Sequence, residues 1–332
     1  MQPYDVLERT HALGSFDTPE GAVNAGSVEK FVLALDDGNA VEAILIGHFG
    51  PRVSAGLRLD RALGDKLGVR IADRLPFVQK KIAYETCVST QVGCALDCTF
   101  CASSLVPFSR NLSVDELLRE IGTIESFMPD GGKLRKVLFA GVGEPLMNYD
   151  NVSEVARRLH ARGITPKVNT VGVIPYLERM FEERLPCELA VSIHAPNDAL
   201  RTEIMPVGKG YPLAEITRVL RDKPPEMFVE AKYLMLDGLN DRDEHADQLI
   251  DVLGGLDVTV GLQMYNPIVE RDYRATPPER IVEFARRLRR GGLTVVIVNT
   301  NLGDPVQGGC GQLRAQVLAR GKKKRSRLQV LN

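Results

Sequence analysis

Apolar and polar positions along the chain follow two alternating rhythms. Short β-branched runs stand at 136–141 (KVLFAG), 167–172 (KVNTVG), 187–193 (CELAVSI), 229–235 (VEAKYLM), 258–265 (VTVGLQMY) and 294–299 (TVVIVN). Between them, apolar residues recur at helical spacing in VDELLREIGTIESF, VSEVARRLHAR, LAEITRVLRD, EHADQLIDVLGG and PPERIVEFARRLRRGG. Ser113 and Glu116 stand three apart as a capping box at the start of the first of these. Pro277 and Pro278 open the last, where a missing N–H costs nothing. Strand–helix alternation predicts parallel strands joined by right-handed crossovers, hence an α/β fold. About six βα units fit the length, against eight in a closed barrel. Upstream, VEKFVLAL and AVEAILI flank DDGN, a hairpin signature. Residues 1–26 show only weak periodicity, and 48–83 show helical spacing broken by glycines.

Composition narrows the class. A chain of 332 residues suits one large catalytic domain with a smaller appendage. No apolar run reaches the length of a membrane span, and the first residues carry acids without the apolar stretch of a signal or transit peptide. The net charge of −1 neither demands nor excludes a nucleic-acid partner. Of the six cysteines, four crowd into Cys87–Cys101, a pattern that free thiols or a metal cluster in reducing cytoplasm explain better than disulfides.

Three of the four spell C-x3-C-x2-C: Cys94, Cys98 and Cys101. Such thiolates suit a [4Fe–4S] cluster with one iron left open for a small-molecule chelator. A structural zinc site wants four closed ligands, and a thioredoxin-type motif only two cysteines; on spacing alone both stay open.

Other motifs extend the pattern: VEAILI from Val41, CVSTQVGCALDCTFC from Cys87, NLSVDEL from Asn111 and GVGEPLMNYDNV from Gly141. SIHAPND from Ser192, MLDGLND from Met235, YNP from Tyr265 and GCGQL from Gly309 complete the series. Together they resemble the class A radical-SAM methyltransferases of the RlmN and Cfr types, which methylate adenine carbon 2 or carbon 8 in RNA. The resemblance spans about residues 28–316. It implies a partial, open (β/α)6 radical-SAM barrel, with a cluster on Cys94, Cys98 and Cys101 and with S-adenosyl-L-methionine (SAM) used twice per turnover. It places Gly143 and Glu144 at the SAM amino group, and Ser192, Ile193, His194 and Asn266 at SAM. Asn169 stands where the family usually has serine; either side chain hydrogen-bonds a ribose hydroxyl or carboxylate. Read on their own, Glu144 is also a helix-capping acid and His194 a satisfied core residue.

The resemblance further assigns Cys310 as the methyl carrier. Cys87 would take the proton from the attacked carbon and resolve the adduct, leaving a disulfide. Glu42 matches an acid sometimes assigned as a base; a structural Glu on a polar strand face is the equal alternative. The implied partners are an RNA or small nucleoside-like substrate and an electron donor such as flavodoxin with its reductase. A cytoplasmic monomer without membrane attachment is expected.

The chain also departs from the pattern. Only about 25 residues precede the hairpin, too few for a separate RNA-binding module. The stretch before Cys310, VNTNLGDPVQGGC, carries no basic residue, whereas the tail ARGKKKRSR is strongly basic. We therefore expect an N-terminal extension over 1–85, the catalytic barrel with its cysteine loop over 86–316 and a basic tail over 317–332. The target would be an unactivated sp2 carbon, first an adenine carbon in RNA. The alternatives are a nucleoside or small heteroaromatic metabolite, or a silent RNA-binding paralogue.

Overall fold

A computed structural model describes residues 2–18, 21–48, 83–268 and 270–298. Cys310, the 49–82 stretch and the basic tail lie outside the described residues. One ten-stranded sheet organises the rest. Its first strands, β1 (Val6–Thr18), β2 (Gly21–Ala34) and β3 (Ala40–His48), pair antiparallel. The turn at Asp36–Asn39 is closed by the Leu35 N–H on Asn39 O, 2.8 Å, with Gly38 at φ +82°. Strand β3 also pairs antiparallel with β4 (Ala83–Val88). From β4 every pairing is parallel, through β7 (Lys133–Phe139), β8 (Thr165–Thr170), β9 (Glu188–Ser192), β10 (Val229–Met235), β11 (Thr259–Met264) and β12 (Thr294–Val298). The two-residue strands β5 (Gln91–Val92) and β6 (Arg110–Asn111) make a separate ladder beside the cysteine loop.

The crossovers carry α1 (Val114–Glu125), α2 (Tyr149–Ala161), α3 (Ile174–Glu182), α4 (Asp198–Ile204) with α5 (Leu213–Arg221), α6 (Asp243–Leu253) and α7 (Pro278–Arg290). The described residues thus make six βα units, then β12; among them β12 pairs only with β11, and the parallel sheet does not close. The expected capping box is present: Ser113 Oγ accepts the Glu116 N–H at 3.2 Å, and Glu116 returns the favour to the Ser113 N–H at 2.9 Å.

Alternation along each strand separates two faces. Phe31, Leu33, Val41, Ala43, Leu45, Tyr84 and Val88 belong to the same buried core as Leu117, Ile121 and Ile124 of α1. The opposite, lumenal face follows from the register. Glu42 lies two residues before Ile44, which faces Cys87; Cys87 pairs Leu138, and Leu138 pairs Lys167. Asn169 then pairs Ala190, and Ser192 pairs Lys232. This face is polar: Lys136 bonds Glu188 at 2.6 Å, Lys167 pairs Glu230, and Lys30 Nζ stands 3.0 Å from Glu42 Oε1 with both side chains buried.

Three elements differ from the sequence expectation. Strand β1 was not anticipated, because its pairing with β2 shifts register near Val6–Glu8 and Gly14–Ser15, which breaks the period-two signal. Helices α3 and α4 were not anticipated either; at seven residues α4 is too short to establish a helical period. The expected boundary between 85 and 86 passes through β4, which belongs to one continuous sheet. Among the described residues, no helix is long and apolar enough to cross a membrane.

Candidate active site

The carboxyl ends of β7–β11 and the cysteine loop enclose a cavity of about 280 Å³. Strand ends are where βα folds gather chemistry, because loops there vary without disturbing the sheet. Cys94, Cys98 and Cys101 line one side, and Gly143 and Glu144 follow β7. Asn169, Ser192, His194, Lys232, Tyr265 and Asn266 close the rest.

The cysteine loop is firmly built. The Thr99 N–H donates to Ile204 O at 2.9 Å, and the Cys101 N–H to Cys98 O at 3.1 Å. Ser104 Oγ donates to Cys101 O at 2.8 Å and receives Arg271 Nη2 at 2.6 Å. Gly93, just before Cys94, sits at φ +81°, and a Cβ there would lie 2.0 Å from Pro107 O. Only glycine lets the two limbs of the loop approach this closely. Burial pushes the Cys94 thiol up to about 11, with Cys101, Glu144 and Asp97 adding to the shift against a backbone hydrogen bond at Leu96. Burial raises Cys98 well above the ordinary thiol range as well, reinforced by Cys101, Cys94 and Glu144 and opposed by Arg201. Without a metal these thiols hold their protons at neutral pH, so metal loading must release them. Among the described residues, no three His, Cys, Asp or Glu side chains converge on a single ion site. The thiolates of a cubane each meet a different iron and need no such convergence.

Glu144 is 3 % exposed. Its Oε1 accepts the Leu146 N–H and its Oε2 the Val171 N–H, each at 2.9 Å, while its own N–H donates to Gln91 Oε1. The capping reading is seen directly, since the carboxylate caps a short 3-10 turn; the same carboxylate also lines the cavity. Burial pushes its pKa up to about 7, against hydrogen bonds from Thr170, Val171 and Leu146. Gly143 has φ +107°, and a Cβ would meet Gln91 Cβ at 2.6 Å, so only glycine lets the chain beside Glu144 pack this closely on Gln91.

His194 has φ +56°. Its Nδ1 accepts the Leu234 N–H at 3.0 Å, and its ring packs edge-on against Phe100. Burial, then the charges of Lys232 and Arg201, holds its pKa down to about 3, so the ring is neutral with its proton on Nε2. Ile193 is not part of the lining: its side chain is fully buried in the core, and its N–H donates to Lys232 O. Cys87 and Glu42 also lie off the cavity, on the lumenal face beside it.

Two lining atoms are buried without a hydrogen-bond partner, Asn169 Oδ1 and Tyr265 Oη. A buried polar atom left unpaired costs about 1–3 kcal/mol. Both therefore await a polar ligand, as do the loop thiols and the buried carboxyl of Glu144. An ammonium-bearing nucleoside chelated to a three-cysteine cluster fits this donor set. Sequence reasoning missed Lys232, Tyr265 and Arg201. Tyr265 sits inside the YNP motif and could have been found there; no local signal sets Lys232 or Arg201 apart from other charged residues.

Sequence and fold both have known relatives. Residues 88–250 match the Radical SAM superfamily. A "Dual-specificity RNA methyltransferase RlmN" from Alkalilimnicola ehrlichii is 38 % identical over 254 residues, covering 73 % of this chain and 70 % of its own length. A "Probable dual-specificity RNA methyltransferase RlmN" from Symbiobacterium thermophilum is 38 % identical over 239 residues, which span 69 % of this chain and 64 % of that relative. Among solved structures, a radical SAM methyltransferase from Sphaerobacter thermophilus superposes with a TM-score of 0.74 at 27 % identity, covering 95 % of this chain and 82 % of its own.

Proposed function

The chain belongs to the RlmN-type radical-SAM methyltransferases, and from that membership we propose that it methylates an unactivated sp2 carbon, an adenine carbon of RNA, through a methyl group carried on Cys310. The observation that carries this reading is the cavity, which joins three loop cysteines to a buried carboxyl and two orphaned polar atoms at the strand ends. A [4Fe–4S] cluster on Cys94, Cys98 and Cys101, with SAM bound to it, supplies a carbon radical able to remove hydrogen from a methyl thioether.

Every other task falls to the chain. Glu144 receives the SAM ammonium, and the backbone at Gly143 lets it approach. Asn169 Oδ1 accepts from a ribose hydroxyl, while Ser192, Asn266 and the neutral His194 supply further polar contacts. Ile193 contributes through the strand it anchors. Cys310 accepts the methyl from a first SAM, so each turnover consumes two. Cys87, on the lumenal face, takes the proton from the attacked carbon once the adduct's odd electron has passed back to the electron carrier. Deprotonated again, with Glu42, held by Lys30 on the same face, in the role of the base that relays this proton, it attacks the Cys310 sulfur; the S–CH2 electron pair leaves with the carbon, which takes up a proton to become methyl. A flavodoxin with its reductase suits the electron supply. We place the enzyme in the cytoplasm as a monomer, with 1–85 as the extension, 86–316 as the catalytic unit and 317–332 as a phosphate-gripping tail.

A smaller nucleoside is the second reading, favoured by the charge-poor VNTNLGDPVQGGC segment, which offers phosphates no cation. Incubation of reduced enzyme with unmodified ribosomal RNA, transfer RNA and an adenine nucleoside panel separates the two. Methyl incorporation into RNA is expected; incorporation into nucleosides but neither RNA would promote the second reading. Deletion from Gly321 onward should weaken RNA binding and flatten its salt dependence, leaving substrate-free SAM cleavage intact.

The raised pKa of Glu144 sets a pH signature. Below about 7 the empty cavity holds a neutral carboxyl, and an ammonium ligand must expel that proton to pair with it. SAM affinity should therefore rise with pH through about 7 and level off above it. Binding at pH below this value should release a proton, measurable by calorimetry in buffers of different ionisation heat. Glu144→Gln should weaken binding and abolish both the rise and the proton release. A flat profile in the unmodified protein would contradict the assigned role.

A further inference from the structure

Arg201 is an unusual cation. It is among the largest fully buried side chains of the protein, at 0 % exposure. Among the described residues, no carboxylate lies at ion-pair distance from it. Its Nη1 donates to Tyr211 O at 2.7 Å, and its Nη2 to Val171 O at 2.7 Å and Ser192 O at 3.3 Å. Nε is buried with no partner at all. Burying a guanidinium on carbonyl dipoles alone is expensive, so the charge needs another counterpart.

The geometry points to the cysteine loop. Val171 and Ser192, whose carbonyls hold the guanidinium, both line the cavity shared with Cys98. Helix α4, which carries Arg201, ends at Ile204, whose carbonyl receives both the N–H of Thr99 at 2.9 Å and its Oγ1 at 3.2 Å. The residue after Cys98 is thus fastened to the Arg201 helix. Asp198 and Cys98 are acidic groups whose charge acts on Arg201, and Arg201 acts in turn on Cys98. Asp198 is exposed, so water screens part of its charge, whereas Cys98 is sheltered from solvent.

We propose that Arg201 is a fixed positive charge that raises the reduction potential of the cluster on Cys94, Cys98 and Cys101, and so makes its one-electron reduction by a low-potential donor feasible. The inference rests on the cluster reading given above. Reduction adds one electron, and no proton, to a centre already made anionic by its thiolates. A buried cation nearby favours the more negative state, and net charge around a cluster is one of the levers that set its potential. Arg201 touches neither substrate nor SAM; it acts through the cluster, as a positioning and tuning residue.

The test is a potentiometric titration of the reconstituted holoenzyme, without SAM, followed by electron paramagnetic resonance of the reduced cluster. Arg201→Gln should lower the reduction equilibrium constant about tenfold, roughly 59 mV for one electron. Arg201→Lys, which keeps the charge but loses the fork on the carbonyls, should stay near the unmodified midpoint. Asp198→Asn, which removes the competing anion, should move the midpoint upward. A fully loaded Arg201→Gln protein with an unchanged midpoint overturns the proposal. So does an equal fall in the Lys and Gln variants, which would assign the effect to the lost backbone ties. If Arg201→Gln fails to load, Asp198→Asn decides: an unchanged or lowered midpoint counts against the charge. An unmodified protein that takes up no cluster would instead break the cluster reading itself.

Discussion

Cys98→Ala is expected to strip the protein of its cluster and reduce SAM cleavage to background. Three thiolates are the whole protein ligand set in C-x3-C-x2-C, so losing one leaves two. Reconstituted wild-type protein should hold about four irons per chain, and the variant a small fraction of that. Iron and sulfide analysis, with chromatographic detection of 5′-deoxyadenosine, reads both outcomes. Cys187→Ala is the matched control. Cys187 lies outside the active-site cavity, lining a separate hollow with Pro186 and Met227, and its thiol is pushed up to about 12 by burial and by Glu188. Its loss should leave the cluster intact. Full occupancy with normal cleavage in Cys98→Ala would remove the foundation of the proposed chemistry.

The second large effect separates the two remaining cysteines of the proposed cycle. Cys310→Ala should make no methylated product and carry no added methyl mass, because the group that accepts the methyl is gone. Cys87→Ala should instead accumulate enzyme joined to substrate through Cys310. The bond from the Cys310 sulfur to the transferred carbon has formed, but no thiolate is present to take the substrate proton or to displace that sulfur as a disulfide. Intact-mass analysis and denaturing electrophoresis distinguish free from joined enzyme. The two variants share an endpoint, loss of turnover, yet differ in where the carbon stops. Wild-type rates from either variant would exclude covalent transfer through this pair.

Much of this arrangement was legible in the chain. The parallel strands announced themselves as short runs rich in apolar and β-branched residues, alternating with helical segments; VEAKYLM coincides with β10 to the residue. The cysteine spacing, Gly143, Glu144 and Asn169 could be read because local motifs carry them to the strand ends. What escaped depends on partners distant in sequence. Strand β1 is ordered by pairing along β2, and its bulges conceal its alternation. Arg201 sits where a helical arginine is ordinarily solvated; only carbonyls from β9, from the loop after β8 and from Tyr211 make it a buried charge. Lys30 likewise acquires meaning only through Glu42, twelve positions along and one strand over. No residue-by-residue propensity encodes a contact of that kind.

Strand β4 is bonded antiparallel on one side and parallel on the other, so the N-terminal strands and the catalytic strands share a single hydrogen-bonded seam. A fragment beginning at residue 86 would therefore start partway along that seam. It would present a row of unpaired backbone donors and acceptors flanked by apolar side chains, the kind of edge that recruits other chains. The same cut would remove Lys30 and Glu42, while Cys87 would remain on a frayed end. Solubility, stability and the setting of Cys87 are thus inherited together, and the parallel strands cannot be exchanged between proteins as a cassette without the three strands that precede them.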